Sequence, residues 1–156
     1  MTKSVAVTGA SRGIGKSIAR RFVSAGWQVW ALARKEADVA DLGPTARFVS
    51  FDAADEKSVL AAAEVLKKES VFALVNNAGI ALSAPLAKTS VDEYQRIQDI
   101  NVKAPFLLCR ELMPLMAKGQ GGRVVNIAST AGRKGFKYTS AYCASKHALV
   151  GLTRGL

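Results

Sequence analysis

A tyrosine and a lysine stand four residues apart in the stretch "AYCASKHAL", which covers residues 141–149. In a helix this spacing puts Tyr142 and Lys146 on one face, one turn apart. A free phenol has a pKa of about 10, which is too high for easy proton exchange near neutral pH. An ammonium about 4 Å away, at an effective dielectric constant of about 20, favours the phenolate by at most about 4 kcal/mol. The pair is therefore either an acid–base centre or an ordinary surface pair.

A glycine-rich stretch, "TGASRGIGKS", covers residues 8–17 and carries two overlapping patterns. Gly9, Gly13 and Gly15 match a dinucleotide-binding loop, in which backbone N–H groups at a helix N-terminus approach phosphate. Residues 10–17 also approach a P-loop, in which Lys16 would reach a terminal phosphate and Asp52 would imitate the metal-holding acid. The first P-loop position should be glycine but is Ala10. A glycine-rich turn without a ligand is the third alternative.

Strand-like and helical segments alternate along the chain and would position these residues. Apolar runs predict strands over 4–8, 27–33, 46–51, 71–77 and 121–129. Helical patterns cover 13–26, 55–70, 90–118 and a last segment from near Tyr142. A short acidic and alanine-rich piece, followed by Gly43-Pro44, separates the second and third strands. We count this piece as the helical segment between those two strands.

This order predicts an α/β fold of the Rossmann type, a doubly wound parallel sheet with helices on both faces. Its ligand should lie beyond the carboxyl ends of the strands. The first helix should bury one apolar face, made of Ile14, Ile18, Phe22 and Ala25. Ser90 and Glu93 predict a capping box at the start of a later helix.

The totals indicate one soluble globular domain over residues 1–156, with 49% hydrophobic and 22% charged residues. The net charge of +10 favours anionic partners such as phosphorylated cofactors and acidic carriers. The basic residues are scattered, which argues against nucleic acid. No apolar run is long enough for a membrane span and no signal peptide is evident. Two cysteines, Cys109 and Cys143, suggest reduced thiols rather than a disulfide, so we expect a cytoplasmic protein.

Five motifs in order resemble the short-chain dehydrogenase/reductase family over the whole chain. They are "TGASRGIG", "NNAG" at 76–79, Asn101, Ser129, and Tyr142-x3-Lys146, with 13 positions from Ser129 to Tyr142. The chain looks most like the bacterial 3-oxoacyl thioester reductases of that family, acting on acyl-carrier-protein or coenzyme A esters. With this resemblance the P-loop hydrolase becomes the weakest alternative.

The resemblance implies the catalytic roles. Tyr142 would be the general acid in reduction, and Lys146 would lower its pKa and bind the nicotinamide ribose. Ser129 would bond the substrate oxygen, and Asn101 would hold a water of a proton relay. No metal is implied. The cofactor-binding positions would be Gly9, Ser11, Arg12, Gly13, Ile14, Gly15, Ala33, Arg34, Asp52, Ala53, Asn77, Ala78, Gly79, Ile127, Tyr142 and Lys146.

Pro105 bears on the water of this relay. It stands four residues after Asn101 and has no N–H. If the segment is helical, the Asn101 carbonyl loses its usual donor and could hold the water. A kink tolerated by packing is the alternative.

The end of the second strand indicates the cofactor. An acid there would bond the adenosine ribose and select NAD(H). The chain instead has Ala33 followed by Arg34, and Ser11 and Arg12 lie in the glycine loop. Because guanidinium pairs well with phosphate oxygens, we expect NADP(H) rather than NAD(H).

The loop 129–142 would line the substrate side, and its basic residues Arg133, Lys134 and Lys137 favour an acidic thioester carrier. We expect reduction of a ketone to a secondary alcohol. Alternatives are a secondary alcohol, sugar or steroid dehydrogenase of the same family, or a non-catalytic nucleotide-binding module. The resemblance implies a homodimer or homotetramer of the full-length form. Relative to the family the chain looks C-terminally incomplete, truncated after the fifth strand and the start of the next helix, so alone it should be poorly stable or inactive.

Overall fold

Five parallel strands form one sheet in the computed structural model, which describes residues 3–119 and 121–156. The strands are β1 (Ser4–Thr8), β2 (Gln28–Ala33), β3 (Ala46–Ser50), β4 (Ala73–Asn76) and β5 (Arg123–Asn126). The α-helices are α1 (Gly13–Ser24), α2 (Glu56–Lys67), α3 (Val91–Gln98), α4 (Ala104–Lys118) and α5 (Ser140–Gly155). The strand order is β3-β2-β1-β4-β5. The predicted Rossmann-type α/β fold is confirmed.

Strand β1 lies at the centre of the sheet and is buried on both faces. Val5 and Val7 pack in the cluster on the side of α1, whereas Ala6 packs in the cluster that includes residues of α2 and α4. Because successive side chains of a strand point to opposite faces, both layers are anchored on the same five residues of β1. The chain leaves β1 toward β2 on one side and later reaches β4 on the other, so a crevice opens above the carboxyl end of β1.

The connection between β2 and β3 departs from the predicted alternation, because it contains no α-helix. It consists of two 3₁₀ turns, Glu36–Asp38 and Ala40–Leu42. The segment is short, and Gly43, with φ of +114°, turns the chain toward Pro44 and Thr45, which lead into β3. Asp41 ties the connection to α1 through ion pairs with Lys16 at 2.7 Å and Arg20 at 2.6 Å.

The predicted apolar face of α1 is only partly correct. Ile18 and Phe22 pack against the core, but Ile14 is 64% exposed and Ala25 is exposed. Ala19 and Gly15 are the buried residues of this helix. Ile14 belongs to the first turn, which lies at the mouth of the crevice rather than over the sheet.

The region between residues 90 and 118 is helical throughout, as predicted. Ser90 accepts from the Glu93 N–H at 3.1 Å, and the Glu93 carboxylate accepts from the Ser90 N–H at 2.9 Å, which confirms the capping box. A π turn at Asp99–Lys103 joins α3 to α4, with the Ala104 N–H bonded to the Asp99 carbonyl. No helix among the described residues is long and apolar enough to cross a membrane.

Replacing Ser90 by Ala should lower the free energy of unfolding by about 1 kcal/mol, because the first turn of α3 loses its side-chain acceptor. Urea denaturation followed by circular dichroism measures this change. Ser24→Ala is the control, since Ser24 lies at the C-terminal end of α1 and its hydroxyl donates to the Arg21 carbonyl of the same helix. Equal unfolding midpoints for the Ser90 variant and the unchanged protein would contradict the assignment.

Candidate active site

A cleft of about 660 Å³ crosses the carboxyl ends of the strands. This volume is that of a typical small-molecule site. Its wall holds the predicted cofactor residues with one exception, Gly15, together with the predicted pair Tyr142 and Lys146. Asn101 and Ser129 are not on the wall, although their neighbours Ile100 and Ala128 are. The fold thus brings predicted residues that are far apart in the sequence together on the wall of one cleft.

The glycines of the loop after β1 have distinct roles. Gly9 and Gly13 have φ of +66° and +55°, which residues with a Cβ rarely adopt. Apart from its chain neighbours and the backbone of its own helix, no protein atom lies within 4 Å of the position a Gly13 Cβ would take, so a ligand can approach this backbone closely. Gly15 instead lies under the loop, and a Cβ there would overlap the Gly9 carbonyl oxygen and the Asn77 amide. Gly15 is therefore absent from the cleft wall because it packs beneath the loop.

Thr8, the last residue of β1, fastens the glycine loop to the loop after β4. Its hydroxyl oxygen accepts from the N–H groups of Asn77 and Ala78, both at 2.9 Å. The Asn77 side-chain amide donates back to the Thr8 carbonyl at 2.9 Å and to the Gly9 carbonyl at 3.4 Å. Thr8 is 2% exposed, so these bonds are shielded from water. They hold the two loops that form the centre of the cleft.

The side chain of Asn101 is buried and fully engaged by the protein. Its Oδ1 accepts from the Ile80 N–H at 2.9 Å, and its Nδ2 donates to the Ile80 carbonyl and the Ser145 hydroxyl, both at 2.9 Å. The Ser145 hydroxyl donates in turn to the Tyr142 carbonyl at 2.7 Å. Asn101 therefore joins the loop after β4 to α5. The side-chain amide is therefore used by the protein itself, and Pro105 provides no N–H to the Asn101 main-chain carbonyl.

Lys146 is 5% exposed, and its Nζ donates to the Ile127 carbonyl at 2.8 Å. This Nζ lies 5.9 Å from the centroid of the Tyr142 ring, so the predicted pair does share one helical face. Burial lowers the pKa of the Lys146 ammonium from its ordinary value. Gly79 faces the same atoms, since a Cβ there would lie 3.6 Å from the Lys146 Nζ. The ammonium is held in a fixed place beside the phenol.

Ser129 lies at the end of the segment that follows β5 and begins a 3₁₀ turn at Thr130–Gly132. Its hydroxyl oxygen accepts from the Ala131 N–H at 3.1 Å. That bond uses a lone pair of the oxygen and leaves the O–H free to donate. The side chain is thus preset as a donor next to Ala128 on the cleft wall.

Lys16 does not serve the glycine loop. Its Nζ donates to the Asp38 carbonyl at 3.3 Å and forms the ion pair with Asp41. Asp52 accepts from the Ala54 N–H at 2.9 Å, as in an Asx turn before α2. In a P-loop, Lys16 would point at the bound phosphate. Here its ammonium is held by the Asp38 carbonyl and the Asp41 carboxylate instead.

The cleft wall is strongly cationic. Arg12, Arg34 and Arg96 have no ion pair or side-chain hydrogen bond among the described residues. Asp52 is the one acid on the wall. No group of three or more His, Cys, Asp or Glu side chains that could hold a metal ion occurs in the described part of the chain. The charge suits an anionic ligand.

Sequence reasoning missed several residues that build the site. Thr8 and Ser145 are buried hydroxyls, and only their positions beside the predicted motifs could have drawn attention to them. Arg96 stands in an ordinary amphipathic helix and carries no sequence signal of its own. Cys109 is buried behind Asn76, whose amide donates to its sulfur at 3.5 Å, and burial raises the pKa of the Cys109 thiol.

Thr8→Val should lower the free energy of unfolding by about 2 kcal/mol, because two backbone N–H groups lose their acceptor. Thr8→Ser is the matched control, since it keeps the hydroxyl and removes only a methyl group. Thermal and urea unfolding of the two variants give the comparison. A valine variant as stable as the serine variant would show that the Thr8 hydroxyl does not hold the loops together.

Lys146 should make stability depend on alkaline pH. Because the folded pKa is lowered, the unfolded state binds more protons between that pKa and 10.5, and the stability of the protein rises with pH in this window. We expect the unfolding free energy of Tyr142→Phe to rise with pH toward 10.5 relative to the double variant Tyr142→Phe/Lys146→Met. The shared Phe removes the titration of the phenol. A difference that stays constant or falls would contradict a penalty from the buried ammonium.

The family model described as short chain dehydrogenase matches residues 3–156. Galactitol 2-dehydrogenase of Agrobacterium fabrum is 35% identical over 97% of the chain, and the alignment covers 62% of that protein. Human 3-oxoacyl-[acyl-carrier-protein] reductase is 36% identical over 100% of the chain and 68% of its own length. The chain thus spans less than two thirds of the first of these relatives.

Two solved structures are similar to the whole described fold. A metagenomic short-chain oxidoreductase in complex with NADP has a TM-score of 0.92 and 33% identity, with 98% of this chain and 74% of that one covered. A 4-hydroxyisoleucine dehydrogenase complexed with NADH has a TM-score of 0.91 and 31% identity, with 99% and 66% covered. The sheet order, the cleft and these matches agree: the chain belongs to the short-chain dehydrogenase family of oxidoreductases.

Proposed function

We propose that the protein is an NADP(H)-dependent oxidoreductase that reduces a ketone, most specifically a 3-oxoacyl thioester, to a secondary alcohol. The observation that carries this proposal is the single cleft in which the glycine loop and the pair Tyr142 and Lys146 share one wall. A nicotinamide cofactor needs both of these features at once: a cradle for its phosphates and a proton-transferring group beside its reactive ring.

The residues fit such a cofactor. The first turn of α1 has no acidic residue and no side-chain cap, so its backbone N–H groups are available to phosphate. The open space beside Gly13 admits a phosphate to the backbone. Asn77, Ala78 and Gly79 continue the wall toward Lys146. When bound, the cofactor would supply the hydride for reduction of the carbonyl carbon.

The two ends of the cleft then have different tasks. The end at Tyr142, Lys146 and Ile127 would hold the nicotinamide and its ribose, because proton transfer must occur there. The glycine loop above β1 would hold the phosphates. The remaining end, above β2 and β3, would hold the adenosine, with Asp52 and Ala53 against it.

Tyr142 would donate the proton that the alcohol oxygen needs as hydride arrives, and would accept it in the reverse direction. The Lys146 ammonium, 5.9 Å from the centroid of the Tyr142 ring, would stabilise the negative charge that develops on the phenol oxygen as its proton leaves. The Ser129 hydroxyl, with its O–H free, would hold the carbonyl oxygen in place. A water on the Asn101 carbonyl would resupply the proton through Lys146.

The preference for NADP(H) rests on the β2 end of the cleft. Ala33 provides no carboxylate for ribose hydroxyls, and the exposed Arg34 and Arg12 provide guanidinium groups for a 2′-phosphate. Similar solved structures hold either nucleotide, so the preference depends on these two arginines.

The thioester substrate is supported by the exposed basic residues Arg133, Lys134 and Lys137, which none of the ion pairs in the described chain includes. An acidic carrier or coenzyme A phosphates would be attracted to them. The second candidate is oxidation of a sugar alcohol, because galactitol 2-dehydrogenase is as similar to this chain as the thioester reductase. A cytoplasmic location and a homodimer or homotetramer belong to the same proposal.

Arg34→Ala should weaken NADPH binding about tenfold or more and leave NADH binding unchanged, because only the 2′-phosphate loses a charged partner. Fluorescence titration of the two cofactors measures this, with ATP as the probe for a P-loop protein. Arg21→Ala, an exposed arginine of α1 outside the cleft, is the control. Tighter binding of NADH than NADPH to the unchanged protein would refute the preference, and tight ATP binding would favour the P-loop alternative.

Tyr142→Phe should reduce the rate of ketone reduction at least about 100-fold while NADPH binding survives, because the proton donor is lost but the cleft keeps its shape. Oxidation of NADPH with a 3-oxoacyl thioester, and reduction of NADP⁺ with galactitol, decide between the two substrate classes. Activity that persists in the variant would refute the mechanism. Cofactor binding without turnover of any ketone or alcohol would favour the non-catalytic module.

A further inference from the structure

Arg96 lies on the cleft wall but takes no part in the proposed cofactor contacts or proton transfer. It belongs to the last turn of α3, and Ile100, one turn further on, lies on the same wall. Arg96 is exposed and makes no hydrogen bond or ion pair within residues 3–119 and 121–156. A cation with this position and no protein partner is free to contact a ligand.

The position of Arg96 indicates which part of a ligand it would meet. Lys103, two helical turns beyond Arg96, pairs with Asp99 at 2.8 Å and reaches Glu56 in the first turn of α2 at 3.6 Å. That turn follows directly on the loop 51–55, whose residues Phe51, Asp52 and Ala53 form the wall at the β3 end. The segment carrying Arg96 therefore borders the end of the cleft that the proposed function gives to the adenosine.

The surroundings favour an aromatic ring over a phosphate at this place. Ile100, Ala53 and Phe51, which line this end of the cleft, are apolar, and apolar lining suits a purine. The other two unpaired arginines of the wall, Arg12 and Arg34, lie at the glycine loop and at β2 instead. A guanidinium stacks well on an aromatic face, which an ammonium does far less well.

A structural role at the helix end accounts for Arg96 poorly. A cation in the last turn of a helix can interact with its terminal carbonyls. However, α3 does not end in solvent, because the π turn at Asp99–Lys103 and α4 continue the helical backbone. The Arg96 carbonyl itself accepts from the Asp99 N–H.

We infer that Arg96 is a further cofactor-binding residue, whose guanidinium covers the adenine ring at the β3 end of the cleft. This inference rests on the proposed function, since it needs a nicotinamide dinucleotide in the cleft. It differs from the role of Arg34, because adenine is present in NADPH and NADH alike. The two arginines would thus separate two tasks, affinity for the base and selection for the phosphate.

The test compares three ligands on the full chain by fluorescence titration. Arg96→Ala should raise the Kd of NADPH and of NADH by the same factor, between about 3-fold and about 30-fold. Reduced nicotinamide mononucleotide, which lacks adenosine, should bind Arg96→Ala and the unchanged protein equally. Arg96→Lys should recover only a small part of the affinity, because the charge returns but the planar group does not.

The controls keep the outcomes distinct. Arg21→Ala removes an exposed helical arginine away from the cleft and should change none of the affinities. Circular dichroism verifies folding of Arg96→Ala, and Arg96→Met replaces it if it does not fold. Loss confined to NADPH would assign Arg96 to the 2′-phosphate and overturn the inference, as would full recovery in Arg96→Lys or no change in any Kd. If the unchanged protein binds neither NADPH nor NADH, the proposed function itself fails.

Discussion

The Thr8 hydroxyl is the interaction on which the cleft depends. Two neighbouring N–H groups, of Asn77 and Ala78, end on one oxygen atom at the carboxyl end of the central strand. The chain reverses its direction across the sheet at this strand, so the loops after β1 and β4 must separate there. Without a link between them the crevice could widen, and the glycine loop would lose its fixed distance to Asn77. The switch point thus supplies the space, and Thr8, together with the Asn77 side-chain amide, joins the two loops that border it.

A second buried network transmits this order to the proposed chemistry. Asn101 holds the loop after β4 through Ile80 and holds α5 through Ser145, whose hydroxyl donates to the Tyr142 carbonyl. Each of these bonds lies in a region of low dielectric, where a satisfied network is rigid and an unsatisfied one is costly. Asn101 belongs to the π turn, and its buried side chain lies between these two elements. The phenol and the glycine loop, distant in sequence, share one rigid frame.

Local signals in the sequence predicted most of the fold and, except for Gly15, placed the predicted cofactor residues on what proves to be the cleft wall. The Ser90 and Glu93 capping box and the spacing of Tyr142 and Lys146 are short-range patterns, and the structure reproduces both. Errors occurred where long-range packing decides. Ile14 has a helical apolar position, but it lies over the cleft instead of the sheet. Alternation alone predicts a helix in the connection after β2. The structure instead has two short 3₁₀ turns there, which Asp41 links to α1 through its ion pairs. The proposed role of Arg96 depends on the other residues that line the folded cleft, and the sequence of α3 does not reveal these neighbours.

The distribution of charge gives the cleft a thermodynamic consequence. Outside it, the lysines at 16, 67 and 103 are each neutralised by a nearby carboxylate. On its wall, the three arginines Arg12, Arg34 and Arg96 stand with a single acid, Asp52. Like charges held together destabilise the folded state, and a bound anion removes that repulsion. A ligand that binds only the folded chain adds about 2.7 kcal/mol of stability at a concentration 100 times its Kd. An anionic ligand bound beside these arginines would therefore stabilise the folded chain.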